Sequence, residues 1–205
     1  MIDGTKTTEP RLRMPVGDAI DVLVGLRQDD DVVITCMGSS REWPRRCDHV
    51  LDVHHVPSTM GGTVPLALGV ALAQPQRRVH VLTGDGSLLM NLGVLVTIIA
   101  SGAKNLTIVV VDNGVYEITG GQRTAGAAAE VDFAGLARSV GFPHVAHFRD
   151  LTDWRRRAAE VLASTGPRFI WLEVEPQRED YLIKLPRPLA EQLVRFQRTL
   201  AAEGE

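Results

Sequence analysis

Strongly apolar runs alternate with segments of helical period along this chain, and this alternation constrains the fold more than any other feature. Four runs are short and rich in β-branched or aromatic residues, as expected of buried strands: residues 31–36, 78–83, 106–111 and 169–174. Segments with apolar residues at helical spacing lie between them, for example at residues 62–73 and 88–101. Apolar strands separated by helices are typical of a parallel sheet that is covered on both faces. The sequence therefore predicts an α/β fold, a three-layer sandwich with a mostly parallel sheet.

The size and composition of the chain limit its organisation. A length of 205 residues is enough for one well-cored domain and too short for two or three in series. We expect a single domain over residues 1–205, in which residues 186–205 form a C-terminal helix. The charged residues, 22 Lys and Arg against 25 Asp and Glu, give no support to nucleic acid or an anionic membrane as a partner.

The cysteines and the apolar runs indicate the cellular compartment of the protein. Cys36 and Cys47 lack the spacing of metal ligands, which excludes zinc and iron–sulfur sites built from cysteines. Each apolar run ends well before the roughly 20 residues that a membrane helix needs. We therefore expect a cytoplasmic protein with two reduced thiols and no membrane partner.

Chemistry in a parallel sheet is expected beyond the carboxyl ends of its strands. Three predicted strands end in polar segments, at residues 37–40, 84–87 and 112–114. In the second segment, Gly84 and Gly86 allow a ligand to approach the backbone closely, and the amides that open the next helix suit a phosphate. Leu89 stands where a dinucleotide-binding fingerprint would need a third glycine, which disfavours that interpretation.

The acidic residue between these glycines indicates a metal ion. The carboxylate of Asp85 would repel a phosphate unless a divalent cation lay between them. Asn113 follows the next strand, 28 positions after Asp85, so its side-chain oxygen reaches the same ion if the strands are neighbours. A Gly-Asp-Gly sequence alone is more often an ordinary turn, but the flanking strands and Asn113 favour a site. We predict Mg²⁺ bound by these two side chains, a backbone carbonyl just beyond Asn113, phosphate oxygens and water.

With these residues in place, the sequence resembles the thiamine diphosphate-dependent enzymes. The Gly-Asp-Gly-Ser turn and the later Asp-Asn pair are similar to their diphosphate-and-magnesium motif, and the resemblance extends over residues 35–122. Residues 38–42, 90–93 and 116–122 are most similar to the cofactor domain of the phosphonopyruvate and sulfopyruvate decarboxylase group. Asp112 departs from the family pattern, which usually has Asn at this position.

The resemblance implies a role for each matching residue. Asp85 and Asn113 would ligate Mg²⁺ through their side chains, and Val115 through its backbone carbonyl. Met60 matches the bulky apolar residue that supports the bent form of thiamine diphosphate, so we expect it to act in catalysis. Further expected contacts to the cofactor come from Ser39, Ser40, Ser58, Gly84, Gly86, Ser87 and Thr119, with Gly86 and Ser87 at the diphosphate and Ser58 at the aminopyrimidine.

Four residues near the motifs stay open between a structural and a functional role. His54 and His55 follow a predicted strand and could face the cofactor or the core. Arg41 could bind an acidic group of the substrate. Glu117 is either an acid in the site or a solvated loop residue.

The resemblance also implies a partner. Enzymes of this family combine a diphosphate domain with a pyrimidine-binding domain that supplies a catalytic glutamate, and this chain holds the first kind alone. We therefore expect a hetero-oligomer in which a pyrimidine-binding-domain subunit supplies the glutamate. The expected function is that of the diphosphate-domain subunit of a thiamine diphosphate- and Mg²⁺-dependent 2-oxo acid decarboxylase. The alternatives are an acetolactate synthase-like carboligase subunit and a non-catalytic cofactor-binding module.

Overall fold

The computed structural model describes residues 13–55, 60–177 and 185–202. Its strands are β1 (Val32–Cys36), β2 (Asp52–His55), β3 (Val79–Gly84), β4 (Leu106–Asp112), β5 (Val115–Tyr116), β6 (Gln122–Arg123), β7 (His144–Phe148) and β8 (Arg168–Glu173). Six of them form one sheet in the order β2-β1-β3-β4-β8-β7, and all neighbours in it are parallel. β5 and β6 form a separate antiparallel hairpin. The predicted α/β fold with a mostly parallel sheet is confirmed.

The helices lie between the strands in sequence. They are α1 (Val16–Gly25), α2 (Gly38–Glu42), α3 (Thr63–Ala73), α4 (Asp85–Leu89), α5 (Val94–Ser101), α6 (Ala125–Ala128), α7 (Phe133–Ser139), α8 (Leu151–Ala163) and α9 (Leu189–Ala202), with a 3₁₀ turn at Glu117–Thr119. Among the helices that the structure describes, none is both long and apolar enough to cross a membrane.

The helix predicted over residues 88–101 is interrupted in the structure. α4 ends at Leu89 and α5 begins at Val94, with a turn between them. Gly93 has a low helix propensity, and the side chain of Asn91 donates a hydrogen bond to Gly61 O, outside both helices. The spacing of apolar residues does not reveal this break, because α4 and α5 both bury residues on the same face of the sheet.

Two apolar clusters cover the two faces of the sheet. Because side chains alternate along a strand, Ile108 of β4 packs in one cluster with Ile98 of α5, whereas Val109 packs in the other with Trp154 of α8. The first cluster also contains residues of α3, α7 and α9, and the second contains residues of α1. These layers leave the two ends of the strands as the places where polar chemistry can reach solvent.

The strand order creates a crevice at the carboxyl end of the sheet. The chain passes from β1 outward to β2 at the sheet edge, and then returns to place β3 on the other side of β1. The segments that follow β1 and β3 therefore leave the sheet in opposite directions, which is the arrangement that binds ligands in open α/β sheets. The pairing of Gly84 with Val111 sets Asp85 beside Asp112, the last residue of β4.

Candidate functional site

A cleft lies at this crevice, with about 720 Å³ of space not filled by protein atoms, its open mouth included. It brings together most of the residues predicted from the sequence: Ser39, Met60, Gly84, Asp85, Gly86, Ser87, Asn113, Val115 and Thr119. Ser40 does not line it. Ser58 lies outside the described residues.

Asp85 is the first residue of α4 and is 2% exposed. Its carboxylate accepts hydrogen bonds from the hydroxyl of Thr124 and from the backbone amide of Gly86. Burial, and then the nearby carboxylate of Asp112, raise the pKa of Asp85 to about 6 from its ordinary 3.8. A buried carboxylate beside a second one is a favourable place for a cation, because the cation offsets both the burial and the repulsion.

Asp112 shares this environment. Its Oδ2 accepts a hydrogen bond from Trp171 Nε1 at 2.9 Å, whereas its Oδ1 is buried without a hydrogen-bond partner among the described residues. Burial raises the pKa of Asp112 above its usual range, although the Trp171 hydrogen bond opposes that shift. The position where the family usually has Asn thus carries a second buried carboxyl group.

Asn113 and Val115 form the turn that leaves β4. Asn113 Oδ1 accepts a hydrogen bond from the amide of Val115 at 3.0 Å, which fixes the side-chain oxygen in the turn. Arg13 Nη1 donates to the backbone carbonyl of Asn113 at 2.7 Å and holds the turn from the outside. Both Asn113 and Val115 line the cleft with Asp85.

These oxygens fit a hard divalent cation. A carboxylate, an amide oxygen and a backbone carbonyl are the donors that Mg²⁺ prefers. No group of three or more His, Cys, Asp or Glu side chains in the described ranges could hold an ion by itself. A cation here would take its remaining oxygens from water or from a bound ligand such as a diphosphate.

The glycine turn is packed closely. A Cβ atom on Gly86 would lie 2.4 Å from the ring of Tyr116, so the lack of a side chain is required. Ser87 is 3% exposed, and its Oγ accepts a hydrogen bond from the amide of Gly61 at 3.1 Å. The same oxygen lies 3.9 Å from Cys36 Sγ, and either atom can be the donor of that weak contact.

Met60 reaches the cleft because the next residue is held from both sides. Gly61 has a positive φ of 84°, its amide donates to Ser87, and its carbonyl accepts from Asn91 Nδ2 at 3.0 Å. A Cβ on Gly61 would lie 2.9 Å from that of Asn91, so glycine is needed here. Side chains of α4 and of the turn after it therefore position Met60 through two hydrogen bonds to the backbone of Gly61.

The hairpin of β5 and β6 forms one rim of the cleft. Thr119 is exposed at its tip, and its hydroxyl bonds within the hairpin to Gln122 Oε1 at 3.0 Å. The amide of Thr124, just beyond β6, donates to Gly114 O at 3.0 Å and closes the hairpin onto the turn after β4. Sequence periodicity gave no sign of this hairpin, because its strands have two residues each.

The serines after β1 differ in orientation. Ser39 lines the cleft, but the hydroxyl of Ser40 lies 2.9 Å from Thr35 Oγ1, which also lies 2.9 Å from His54 Nδ1. This polar chain is buried in the sheet rather than in the cleft. Burial lowers the pKa of His54 to about 4, so its imidazole is neutral at physiological pH. The side chain of His55 lies outside what the structure describes.

Arg41 and Glu117 both line the cleft and bind each other. Arg41 Nη2 lies 3.1 Å from Glu117 Oε2, and the Arg41 side chain is 4% exposed. Arg41 also contacts Glu42 and Gln177, and the amide of Gln177 donates to Glu117 Oε1 at 2.7 Å. Glu117 is thus buried in an ion pair rather than solvated, and an acidic substrate group that reached Arg41 would compete with two carboxylates.

Sequence comparison assigns the chain to a family. Residues 34–172 match the family described as "Thiamine pyrophosphate enzyme, C-terminal TPP binding domain", thiamine pyrophosphate being another name for thiamine diphosphate. The matched segment is more than half of the chain, so the protein belongs to this family. The sequence-based recognition of a thiamine diphosphate-binding domain is confirmed.

Two individual relatives show which members of this family the chain is similar to. The chain is 40% identical over 162 residues to a phosphonopyruvate decarboxylase of Streptomyces viridochromogenes, a match covering 78% of this chain and 40% of that protein. It is 39% identical over 163 residues to the sulfopyruvate decarboxylase subunit beta of Methanothermobacter thermautotrophicus, covering 80% of this chain and 83% of that subunit. The chain thus spans less than half of the Streptomyces protein but most of the archaeal subunit.

Solved structures agree on the fold. A thiamine diphosphate-dependent 4-hydroxybenzoylformate decarboxylase of Rhodococcus jostii RHA1 superposes with a TM-score of 0.68 at 18% identity, covering 87% of this chain and 36% of that one. A putative thiamin diphosphate-dependent enzyme of Mycobacterium smegmatis gives a TM-score of 0.67 at 21% identity, with 85% and 36% covered. At these identities the likeness concerns the fold alone.

Proposed function

We propose that the chain is the diphosphate-domain subunit of a split thiamine diphosphate- and Mg²⁺-dependent decarboxylase that acts on a 2-oxo acid. One observation carries the proposal. Asp85, Asn113 and Val115 meet in a single cleft with Met60, at the point of the sheet where ligands bind in α/β folds. The names of the relatives, phosphonopyruvate decarboxylase and sulfopyruvate decarboxylase subunit beta, support this reaction class.

The cation would be held by oxygens of this chain. In the proposal, the Asp85 carboxylate provides the charge, and the Asn113 amide oxygen and the Val115 carbonyl complete the protein's share of the ligands. Mg²⁺ at this place would offset the repulsion between Asp85 and Asp112 and would attract the diphosphate.

The remaining cleft residues would bind and orient the cofactor. The proposal places the diphosphate against the backbone of Gly86 and the hydroxyl of Ser87, with Gly84 allowing close approach and Ser39 nearby. Met60 would support the cofactor from a backbone position that Gly61 fixes. Ser58 is proposed for the aminopyrimidine and Thr119 for the substrate side.

When bound, thiamine diphosphate supplies a ring that accepts the electron pair left behind as CO₂ departs from a 2-oxo acid. This chain would position that ring and exclude water beneath it with Met60 and Ile118. The carboxylate that hydrogen-bonds the aminopyrimidine ring is assigned in this proposal to a partner subunit. The match over most of a protein named subunit beta supports that division.

Cofactor binding tests the site directly. Calorimetry with thiamine diphosphate should show Mg²⁺-dependent binding by the wild-type protein, with its partner subunit present, and none by Asp85→Ala. Asn113→Ala should weaken binding less, because a neutral ligand contributes less than a carboxylate. Asp132→Ala, which removes the N-cap of α7 outside the cleft, is the matched control and should bind normally. Unchanged affinity in Asp85→Ala would refute the metal assignment.

Measurements of turnover test the role of Met60 and the need for a partner subunit. We expect Met60→Ala to lower the rate per bound cofactor more than it lowers cofactor affinity. The purified chain should be inactive on a panel of 2-oxo acids until a pyrimidine-binding-domain subunit is added, and product analysis then separates an aldehyde from a carboligation product. Decarboxylation at ordinary enzymatic rates by the chain alone, free of companion protein by mass spectrometry, would refute the split-enzyme proposal.

A further inference from the structure

Thr124 contacts the metal-binding turn from outside the cleft lining. It follows β6, is fully buried at 0% exposure, and lies beyond the segment whose sequence resembles the family motifs. Its hydroxyl accepts a hydrogen bond from the amide of Ala127 at 3.1 Å as the N-cap of α6. The same hydroxyl donates to Asp85 Oδ2.

The direction of these two hydrogen bonds follows from their chemistry. An amide can only donate and an ionised carboxylate can only accept, so the single hydroxyl proton of Thr124 must point at Asp85. Thr124 therefore does more than accept a hydrogen bond from a backbone amide of α6, because its hydroxyl proton is also oriented toward the Asp85 carboxylate. Rotation of the Asp85 side chain is restrained by a group that is itself fixed by a helix.

Thr124 also contacts the second segment of the candidate cation site and a further residue of the first. Its amide donates to Gly114 O at 3.0 Å, next to Asn113. Its Cγ2 lies 3.2 Å from where a Cβ of Gly86 would be. One buried residue thus connects the turn after β3, the turn after β4 and the end of the hairpin.

We propose that Thr124 is a positioning residue for the cation, an inference that rests on the proposed function. Its hydroxyl holds Asp85 Oδ2 so that the carboxylate is oriented before Mg²⁺ binds. Groups that hydrogen-bond a metal ligand in this way raise metal affinity, and their loss typically costs about 10- to 100-fold. The hairpin, which contributes Thr124, is in this way linked to cation binding.

The test is a Mg²⁺ titration of thermal unfolding at saturating thiamine diphosphate, with the full chain and its partner subunit. In Thr124→Val, which keeps the side-chain shape and removes the proton, the Mg²⁺ concentration at half-maximal stabilisation should rise about tenfold. Thr124→Ser restores the hydroxyl and should return this concentration to near the wild-type value. Mn²⁺ binding followed by electron paramagnetic resonance should show the same order without any need for turnover.

Two control variants separate this effect from general destabilisation. Thr63→Val makes the same change at an equally buried threonine, whose hydroxyl has no hydrogen-bond partner among the described residues. Asp132→Ala removes a helix N-cap, as Thr124→Val does, but on α7. Neither should change the Mg²⁺ dependence. If Thr124→Val does not fold, Thr124→Cys replaces the hydroxyl with a weaker donor and should give an intermediate shift.

The outcomes are distinguishable. Wild-type protein without any Mg²⁺-dependent stabilisation by thiamine diphosphate would overturn the proposed function and this inference together. Wild-type stabilisation with an unchanged Mg²⁺ dependence in Thr124→Val, or in Thr124→Cys where that is the folded variant, would overturn the role of Thr124 alone. A raised Mg²⁺ requirement that serine rescues supports it.

Discussion

Buried aspartates at the two ends of the sheet have opposite electrostatic surroundings. At the amino end, just before β1, Asp31 is 0% exposed and receives both Nε and Nη2 of Arg78, at 2.7 Å and 2.5 Å. At the carboxyl end, Asp85 and Asp112 are almost as deeply buried, and neither forms a salt bridge with a described Lys or Arg. The residue type and the burial are alike, and the difference lies in the charges around them.

The pKa values follow this difference. Burial alone would raise the pKa of Asp31, but hydrogen bonds from His80 and Arg78 outweigh it and hold that pKa well below its usual range. At the other end, burial and Asp112 raise the pKa of Asp85 to about 6. The chain thus pairs its buried carboxylate with Arg78 at the amino end. At the carboxyl end, where a cation is proposed to bind, the charge of Arg13 lowers the pKa of Asp112 but does not outweigh burial. If this end binds a cation as proposed, its lowering of the stability of the metal-free fold is the expected consequence.

The largest effect should come from the stabilised end. Asp31→Asn leaves Arg78 and His80 without their carboxylate, and we expect a loss of about 3 kcal/mol in the free energy of unfolding. Urea denaturation measures it. Asp153→Asn, which breaks exposed ion pairs on α8, is the control and should change little. If Asp31→Asn loses no more unfolding free energy than Asp153→Asn, then Asp31 does not stabilise the amino end of the sheet and the contrast with Asp85 fails.

The opposite sign is expected at the functional end. Asp85→Asn removes a buried charge that is repelled by Asp112, so the metal-free chain in EDTA at pH 7.5 should gain roughly 2 kcal/mol of stability. The same variant should lose its stabilisation by Mg²⁺ with thiamine diphosphate. Destabilisation of the metal-free chain would show that Asp85 is part of the structural framework, contrary to the comparison.

The pH dependence of that gain sharpens the comparison. Asp85 has a folded pKa of about 6 and an ordinary pKa of 3.8, so the folded state binds a proton more tightly than the unfolded state. The cost of its charge is therefore fully present above about pH 6 and disappears as the pH falls toward 3.8. The difference in stability between Asp85→Asn and wild type should shrink over this pH range. Groups that titrate in the same way in both proteins, such as His54, contribute equally to both stabilities and so do not affect the difference. A gap that does not change with pH would point to altered packing instead.

The smallest effect should come from Asp112→Asn, which restores the residue that is usual in the family. It relieves the repulsion but keeps an oxygen for Trp171, so we expect a gain of about 1 kcal/mol in the metal-free chain. Because both variants relieve one repulsion, the gain in the double variant with Asp85→Asn should be smaller than the sum of the two single gains. Additive gains would mean that the two carboxylates do not interact.

Much of the cleft followed from local sequence. The apolar strands predicted the sheet, and the polar turns at their ends predicted that Asp85 and Asn113 share an ion if the two strands are neighbours. The observed parallel pairing of β3 with β4, which sets Gly84 beside Val111, meets that condition.

The missed features depend on contacts across long intervals of sequence. Thr124 lies in a Gly-rich stretch without periodicity, and its bond to Asp85 spans 39 positions. The ion pair of Arg41 and Glu117 spans 76 positions, and neither residue carries a local signal of burial. Asp112 stood out as a departure from a motif, but its effect on Asp85 depends on strand register and on burial, which a motif does not contain.

The strand order also determines when the cleft can form during synthesis. β8 is the last strand along the described residues, yet it lies inside the sheet between β4 and β7, and β7 pairs with β8. Trp171, which holds Asp112 in place, belongs to it. Pairings of this kind between distant segments form slowly, and here they must wait for the ribosome to release β8. The Gly-Asp-Gly turn is translated early but gains its final surroundings late, so a nascent chain truncated before β8 should expose one side of β4 to other unfinished chains.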